Sequence, residues 1–182
     1  PRQTGTTSGL LGWRDYLTAR GEFGAVYANI EAGQALRNDA EKVVQTTAAT
    51  IADRVDTLRG GGEAVQLLRA VRESSESSGG LLTAFLRALC ESLPLPLVLF
   101  LDEIDALVGD GLVSVLRQIR AGYDQRPQHF PQTVILCGVR DVRDYRIVLS
   151  NQDIVTGGSA FNIKAKSLRL GNLTKEEIHD LY

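Results

Sequence analysis

The residues with the clearest capacity for chemistry are two adjacent carboxylates, Asp102 and Glu103, which follow an unbroken apolar run at residues 97–101 (LVLFL). Such a run is typical of a parallel strand buried on both faces. An acid inside that strand would be costly, whereas an acid at its carboxyl end lies where α/β sheets bind ligands. We expect Asp102 to hold a hydrated Mg²⁺ and Glu103 to orient or deprotonate a water molecule. The alternative is an ordinary strand followed by a polar turn.

A second segment with chemical potential opens the chain at residues 1–8 (PRQTGTTS). It resembles the end of a phosphate-binding loop, G-x-x-x-x-G-K-[ST], with Gly5 in the place of the second glycine. The first glycine and the lysine are not present. If Thr6 replaces the lysine, Thr7 supplies the hydroxyl that binds Mg²⁺; if one residue is missing between Gly5 and Thr6, Thr6 supplies it. A Gly-Thr-Thr turn that caps a helix is the alternative explanation.

The missing lysine has a physical consequence for this loop. Backbone N–H groups and the start of a helix can still hold phosphates, because these donors do not depend on side chains. The charge that the lysine places on the β- and γ-phosphates would be lost, and charge-assisted hydrogen bonds are roughly twice as strong as neutral ones. A true substitution therefore predicts weak nucleotide binding and little hydrolysis.

Composition indicates one globular domain. The chain has 182 residues and a net charge of −2, which gives no general attraction to nucleic acid or to a membrane. No apolar segment approaches the ~20 residues that span a bilayer, and no signal peptide is visible. Cys90 and Cys137 are predicted to be buried free thiols of a reducing compartment, so we expect a cytoplasmic protein. His129 and His179 are isolated, which disfavours a zinc site.

Both ends of the chain suggest that it is part of a longer protein. It contains no methionine and opens inside a loop motif that should follow a central strand, so we expect the natural protein to continue upstream. At residues 174–178 (TKEEI), an N-cap followed by acids predicts the start of a helix. Because the chain stops at Tyr182, we expect it to continue downstream as well.

Hydrophobic periodicity predicts alternating strands and helices around these motifs. The predicted helices cover residues 7–20, 39–58, 64–72, 81–93 and 107–123, and the predicted strands cover 23–30, 97–101, 132–139 and 167–170. The first helix should bury an apolar face made of Leu10, Trp13, Tyr16 and Leu17. The serine- and glycine-rich residues 73–80 predict a solvated loop. This order predicts an α/β protein with a mainly parallel sheet and helices on both faces.

Together these segments resemble bacterial AAA-like P-loop ATP-binding proteins, whose nearest relatives look like archaeal initiator-type and STAND-type ATPases. The resemblance spans residues 1–182 and is carried by PRQTG at 1–5, a Walker B-like LVLFLDEID at 97–105, VILCGVRD at 134–141 and FNI at 161–163 before Leu168-Arg169-Leu170. It implies a P-loop NTPase three-layer sandwich that lacks its N-terminal strand and C-terminal lid in this chain, with ATP and Mg²⁺ as cofactors. A helical lid, and often a winged-helix domain, would lie beyond Tyr182.

The resemblance also implies a role for Arg140, which follows the predicted strand 132–139. In such proteins a polar residue at this point senses the γ-phosphate, and a cation there would stabilise charge on the transferred phosphoryl group. An exposed arginine at a strand end is the alternative. Arg143 and Arg146 could act on a neighbouring subunit's nucleotide, although pairing with the nearby aspartates of residues 141–144 is favoured.

Three functions remain open from the sequence. The first is a nucleotide-dependent switch with slow ATP hydrolysis, whose motion is relayed to a lid and an unknown protein partner. The second is a catalytically lapsed P-loop scaffold, which the missing lysine favours and the retained Asp102 and Glu103 pair disfavours. The third is a DNA-associated ATPase, which neither a basic stripe nor an aromatic groove supports. Whether the protein is an enzyme is therefore left open.

Overall fold

The helices pack around a small sheet. The computed structural model describes residues 5–36, 39–74 and 80–139, together with the backbone of residues 146–148 and 154–156. The α-helices in these residues are α1 (Thr6–Arg20), α2 (Ala40–Arg59), α3 (Glu63–Ser74), α4 (Leu81–Ser92) and α5 (Gly109–Ala121). Short 3₁₀ helices cover Glu31–Leu36, Ile104–Ala106 and Tyr123–Gln125.

Three parallel strands form the sheet: β1 (Gly24–Asn29), β2 (Leu97–Asp102) and β3 (Thr133–Leu136), in the order β1-β2-β3. In this register Asn29 lies opposite Asp102, and Leu101 lies opposite Leu136. Two further strands, β4 (Arg146–Val148) and β5 (Ile154–Thr156), form a separate antiparallel pair. The predicted α/β class with a parallel sheet is confirmed.

The central strand β2 is buried along its whole length, as its apolar run predicts. Its side chains alternate between the two faces of the sheet. Leu97, Leu99 and Leu101 belong to the larger hydrophobic cluster, whereas Val98 and Phe100 belong to a smaller cluster on the opposite face. The sheet is therefore covered by packed side chains on both faces.

The larger cluster is built mainly from α2, α4 and α5. Helix α2 begins after Asp39, whose side chain accepts a hydrogen bond from the Lys42 backbone N–H at 3.1 Å and so caps the first turn. Its buried positions recur at helical spacing, and they are Val43, Val44, Thr47, Ala48, Ile51, Ala52 and Val55. This apolar face agrees with the predicted helix 39–58.

The predicted apolar face of α1 is only half correct. Leu10 and Leu17 pack against the smaller cluster, but Trp13 and Tyr16 are 60% and 52% exposed. Leu10 and Leu17 are seven residues apart and form a narrow stripe on the helix, while Trp13 and Tyr16 lie to one side of it. Their rings contact each other edge to face instead, with centroids 5.8 Å apart.

Other differences from the sequence prediction concern connections. The predicted helix 107–123 begins two residues later, at Gly109, after the 3₁₀ turn Ile104–Ala106. The 3₁₀ helix Glu31–Leu36 and the β4–β5 pair are not predicted, because neither carries a clear apolar period. The predicted strand 167–170, the FNI element at 161–163 and the helix starting at Thr174 lie outside the described residues. None of the helices in the described part of the chain combines the length and apolar character needed to cross a bilayer.

Candidate functional site

The polar residues predicted to form a site meet at one edge of the sheet. Strands β1 and β2 run in parallel and end together at Asn29 and Asp102, so their carboxyl ends open onto the same edge. Helix α1 starts above this edge, with Thr6 as its first residue. Ligands of open α/β sheets bind at such an edge.

The centre of the site is the carboxylate of Asp102, a residue that is 4% exposed. Its Oδ2 atom accepts a hydrogen bond from Thr7 Oγ1 at 2.9 Å and another from the Tyr27 hydroxyl at 2.8 Å. Its Oδ1 atom accepts one from the Glu103 backbone N–H at 3.0 Å. A buried carboxylate is stable only when such donors replace water, so these three contacts hold the acid at the strand end.

The start of α1 is suited to an anion. Gly5 is the N-cap residue and adopts a left-handed conformation (φ 71°, ψ 16°), which glycine reaches at no steric cost. As a glycine, the N-cap residue makes no side-chain cap hydrogen bond of its own. Thr7 is exposed to solvent although its hydroxyl contacts Asp102. The first-turn N–H groups of a helix have no partner within the helix and favour negative charge, so this end can receive a phosphate.

Glu103 has an unusual backbone. It is the one non-glycine residue with positive φ among the described residues, at φ 60° and ψ 41°. This conformation costs roughly 1–2 kcal/mol for a residue with a Cβ atom. The side chain is exposed at the edge of the sheet. Strain of this kind is concentrated at functional sites, where the surrounding structure maintains it.

The turn after β2 is joined to the end of β3. The Ile104 N–H donates to the Cys137 carbonyl at 3.0 Å, and the Val139 N–H donates to both carboxylate oxygens of Asp105 at 3.1 and 3.2 Å. Gly138 lies so close that a Cβ atom there would overlap the Asp105 carboxylate. The acids and residues 137–139 therefore form one packed unit. Arg140, the predicted γ-phosphate sensor, follows directly but lies outside the described residues, as do the side chains of Arg143 and Arg146.

Two proton-bearing groups beside Asp102 stay protonated at neutral pH. Burial raises the pKa of Tyr27 to about 12, and the hydrogen bond to Asp102 adds to the effect. Burial also raises the pKa of Cys137 to about 12, with the charge of Asp102 as the next cause. Both cysteines are free, as predicted, although Cys90 is buried and Cys137 only partly so. The acid is thus surrounded by neutral donors.

Thr7 and Asp102 supply few protein ligands, so they suit a metal ion whose other ligands are waters and phosphates. The described residues contain no group of three or more His, Cys, Asp or Glu side chains that could cage a metal ion. Mg²⁺ is usually held by one or two carboxylates together with waters and substrate phosphates. One carboxylate beside one hydroxyl, at the start of a helix, fits that pattern.

The structure brings together five of the six predicted site residues: Gly5, Thr6, Thr7, Asp102 and Glu103 at the shared edge of α1 and β2. Sequence reasoning missed Tyr27 and Asn29, which are both on β1. The signal was present, since a tyrosine and an asparagine two residues apart at a strand end project from one face toward the ligand edge.

Searches of protein-family models, curated proteins and solved structures find no match to the chain. The functional interpretation therefore depends on the geometry of the site and on the motifs in the sequence.

Proposed function

We propose that this protein binds ATP with Mg²⁺ where α1 begins and β2 ends, hydrolyses it slowly, and acts as a nucleotide-dependent conformational switch. The observation that carries the proposal is the 2.9 Å hydrogen bond between Thr7 and Asp102. It joins a helix N-terminus, preceded by a left-handed glycine, to an acid at the end of a buried parallel strand. A phosphate-binding helix start beside a metal-binding carboxylate is what a Mg²⁺-nucleotide site needs.

Each residue has a role in this proposal. The Gly5 turn and the first N–H groups of α1 hold phosphate oxygens, and Thr7 and Asp102 hold Mg²⁺. Mg²⁺ held there would offset the negative charge of the phosphates. Glu103 orients the attacking water, consistent with its exposed position beside Asp102. Arg140 senses the γ-phosphate in the full site, and that role is carried by the sequence motif alone.

The geometry also supports one of the two alignments of the loop. The hydroxyl that donates to Asp102 in the structure is that of Thr7. In the phosphate-binding motif the residue before the metal-binding hydroxyl is the lysine. This contact therefore favours Thr6 as a replacement of that lysine, and it predicts weaker phosphate binding than in a complete motif.

The layer order supports a P-loop three-layer sandwich as the fold. Leu10 and Leu17 of α1 pack on one face of the sheet, while α2, α4 and α5 contribute to the larger cluster on the other. The acid-bearing strand β2 is central, and β3, which leads to Arg140, is its neighbour. The ends of β2 and β3 therefore lie side by side, which supports the proposal.

A lapsed scaffold is the second candidate function, and Thr6 at the lysine position favours it. In that case the contact between Thr7 and Asp102 serves only to hold α1 on the sheet. The absence of a charged group at residue 6 would leave the affinity for nucleotide too low to matter at cellular concentrations.

Calorimetric titration of the protein with ATP, carried out once in Mg²⁺ and once in EDTA, distinguishes the switch from the scaffold. We expect micromolar binding that requires Mg²⁺ and is weakened at least tenfold in Asp102→Asn and Thr7→Val. Asp53→Asn, which alters an exposed aspartate on α2, is the matched control and should bind like the wild type. Peptide mass analysis should verify Thr6 in the same preparation. No detectable binding to the verified protein would contradict the switch and leave the scaffold.

A further inference from the structure

Tyr27 is a polar contact of the site that the proposed roles do not use. It lies in β1 opposite Phe100 of β2, and its ring packs against the smaller hydrophobic cluster beneath α1. Asp102 is two residues beyond Phe100, on the same face of the sheet. The tyrosine side chain reaches across to the neighbouring strand, where its hydroxyl donates to Asp102 Oδ2 at 2.8 Å.

The two hydroxyl donors on Oδ2 are not equivalent. Thr7 is exposed at the start of a helix, where a bound metal ion would engage its hydroxyl. The ring of Tyr27 packs against the smaller hydrophobic cluster, so this residue is only partly accessible to solvent. Tyr27 would therefore still donate to Asp102 if Thr7 served as a metal ligand. The Glu103 backbone N–H donates to Asp102 Oδ1, so both oxygens of the carboxylate accept hydrogen bonds from the protein.

We propose that Tyr27 is a positioning residue of the Mg²⁺-nucleotide site, whose hydroxyl holds the Asp102 carboxylate in the orientation that the metal requires. The inference rests on the proposed function. Mg²⁺ demands near-ideal octahedral geometry, so a carboxylate that rotates freely binds it less well. A donor that supports a ligand from behind commonly changes metal affinity 10- to 100-fold when it is lost.

The protonation of Tyr27 suits this role. Its pKa is raised to about 12, first by burial and then by the hydrogen bond to Asp102. The phenol is therefore a neutral donor over the whole physiological range.

The test is a titration of Mg²⁺ at a fixed, subsaturating concentration of ATP, with bound nucleotide measured for wild type, Tyr27→Phe and Tyr16→Phe. Phenylalanine keeps the packed ring and removes only the hydroxyl. We expect Tyr27→Phe to need about tenfold more Mg²⁺ for half-maximal binding, which is the loss of one hydrogen bond to a charged group. Tyr16, on the exposed side of α1, bonds to Arg20 rather than to the site, so Tyr16→Phe should match the wild type.

A second measurement, by NMR, does not depend on the folding of a Tyr27 variant. Among the resonances of the five tyrosines, labelled with ¹³C at Cζ, the Tyr27 signal should move on Asp102→Asn substitution and again when Mg²⁺ and ATP bind. The Tyr16 signal should stay in place. If Tyr27 has only a packing role, Tyr27→Phe should change the thermal stability of the protein without changing the Mg²⁺ dependence of nucleotide binding.

The outcomes distinguish the two levels of the proposal. If the wild type binds Mg²⁺-ATP and Tyr27→Phe shows the same Mg²⁺ dependence, the positioning role is wrong while the nucleotide site stands. If the wild type binds no nucleotide with or without Mg²⁺, the proposed function is overturned and the role of Tyr27 falls with it.

Discussion

Thr7 and Asp102 are 95 residues apart in the chain, yet their side chains are joined by a hydrogen bond of 2.9 Å. The contact places the first turn of α1 at the end of β2. In the proposed alignment, Thr6, the preceding residue, occupies the position where a phosphate-binding loop carries lysine.

Restoring the lysine should strengthen nucleotide binding. We expect Thr6→Lys to raise the affinity for Mg²⁺-ATP about tenfold or more, because a charge-assisted hydrogen bond to phosphate contributes roughly 1.5–3 kcal/mol. Calorimetry measures the change. Ser8→Lys is the matched control, since it adds the same charge to the same turn of α1 at an exposed position. Equal gains in both variants would show a general electrostatic effect and would argue against a loop lysine position at residue 6.

Because Glu103 has a positive φ, we expect the glycine variant at this position to be more stable than the alanine variant. Glu103→Gly removes a left-handed strain of roughly 1–2 kcal/mol. Glycine has more conformational freedom in the unfolded chain, and this offsets about 0.5–1 kcal/mol of the stabilisation. Glu103→Ala keeps the strain. We therefore expect Glu103→Gly to exceed Glu103→Ala in free energy of unfolding by about 1 kcal/mol, measured by urea denaturation. The reverse order would mean that φ at residue 103 is negative in solution.

The carboxylate of Glu103 is tested separately with an isosteric variant. If Glu103 orients or deprotonates the attacking water, Glu103→Gln should slow ATP hydrolysis by about 10²-fold or more while nucleotide affinity changes little. Steady-state phosphate release and calorimetry measure the two quantities. Glu63→Gln, at an exposed position at the start of α3, is the control. An unchanged rate in Glu103→Gln would remove Glu103 from the reaction.

Stability should fall at alkaline pH. Burial raises the pKa of both cysteine thiols from 9.0 to about 12 and that of Tyr27 from 10.0 to about 12. These groups stay protonated in the folded protein after they ionise in the unfolded chain, so the unfolded state binds fewer protons. The stability that they contribute is complete below pH 9 and is lost as the pH rises toward 12.

Urea denaturation at pH 8 and pH 10.5 under reducing conditions measures this loss. We expect a lower free energy of unfolding at pH 10.5, and a smaller decrease in Cys90→Ala, which removes one of the groups. Cys90 is in the core, so the variant is less stable overall, and the comparison is between the two pH values of each protein. Equal decreases in the two proteins would contradict the shift assigned to Cys90.

Gly138 should tolerate no side chain although it is exposed. A Cβ atom there would overlap the Asp105 carboxylate and approach the Ile104 side chain. We expect Gly138→Ala to lower the free energy of unfolding by about 1–3 kcal/mol, as for overpacking. Gly12→Ala is the control, because nothing lies within 4 Å of a Cβ atom at this point in α1 and alanine should add about 0.5–1 kcal/mol. Similar stability of the two variants would contradict the close contact of residues 105 and 138.

The sequence alone determined the features that depend on local patterns. The apolar run at residues 97–101 predicted a buried strand with acids at its end, because burial on both faces leaves no room for polar side chains within it. The spacing of apolar residues after Asp39 predicted the buried face of α2. The role of Arg140 stays a prediction, since that residue lies outside the described part of the chain.

Only the tertiary structure decided how distant elements meet. It brought Thr7 to Asp102 and added Tyr27 to the same carboxylate. It also left Trp13 and Tyr16 exposed on a helix whose apolar residues predicted a broader buried face. These contacts depend on the rotation of α1 about its axis and on the pairing of β1 with β2. Local periodicity does not specify either quantity, because packing between segments far apart in the chain sets both.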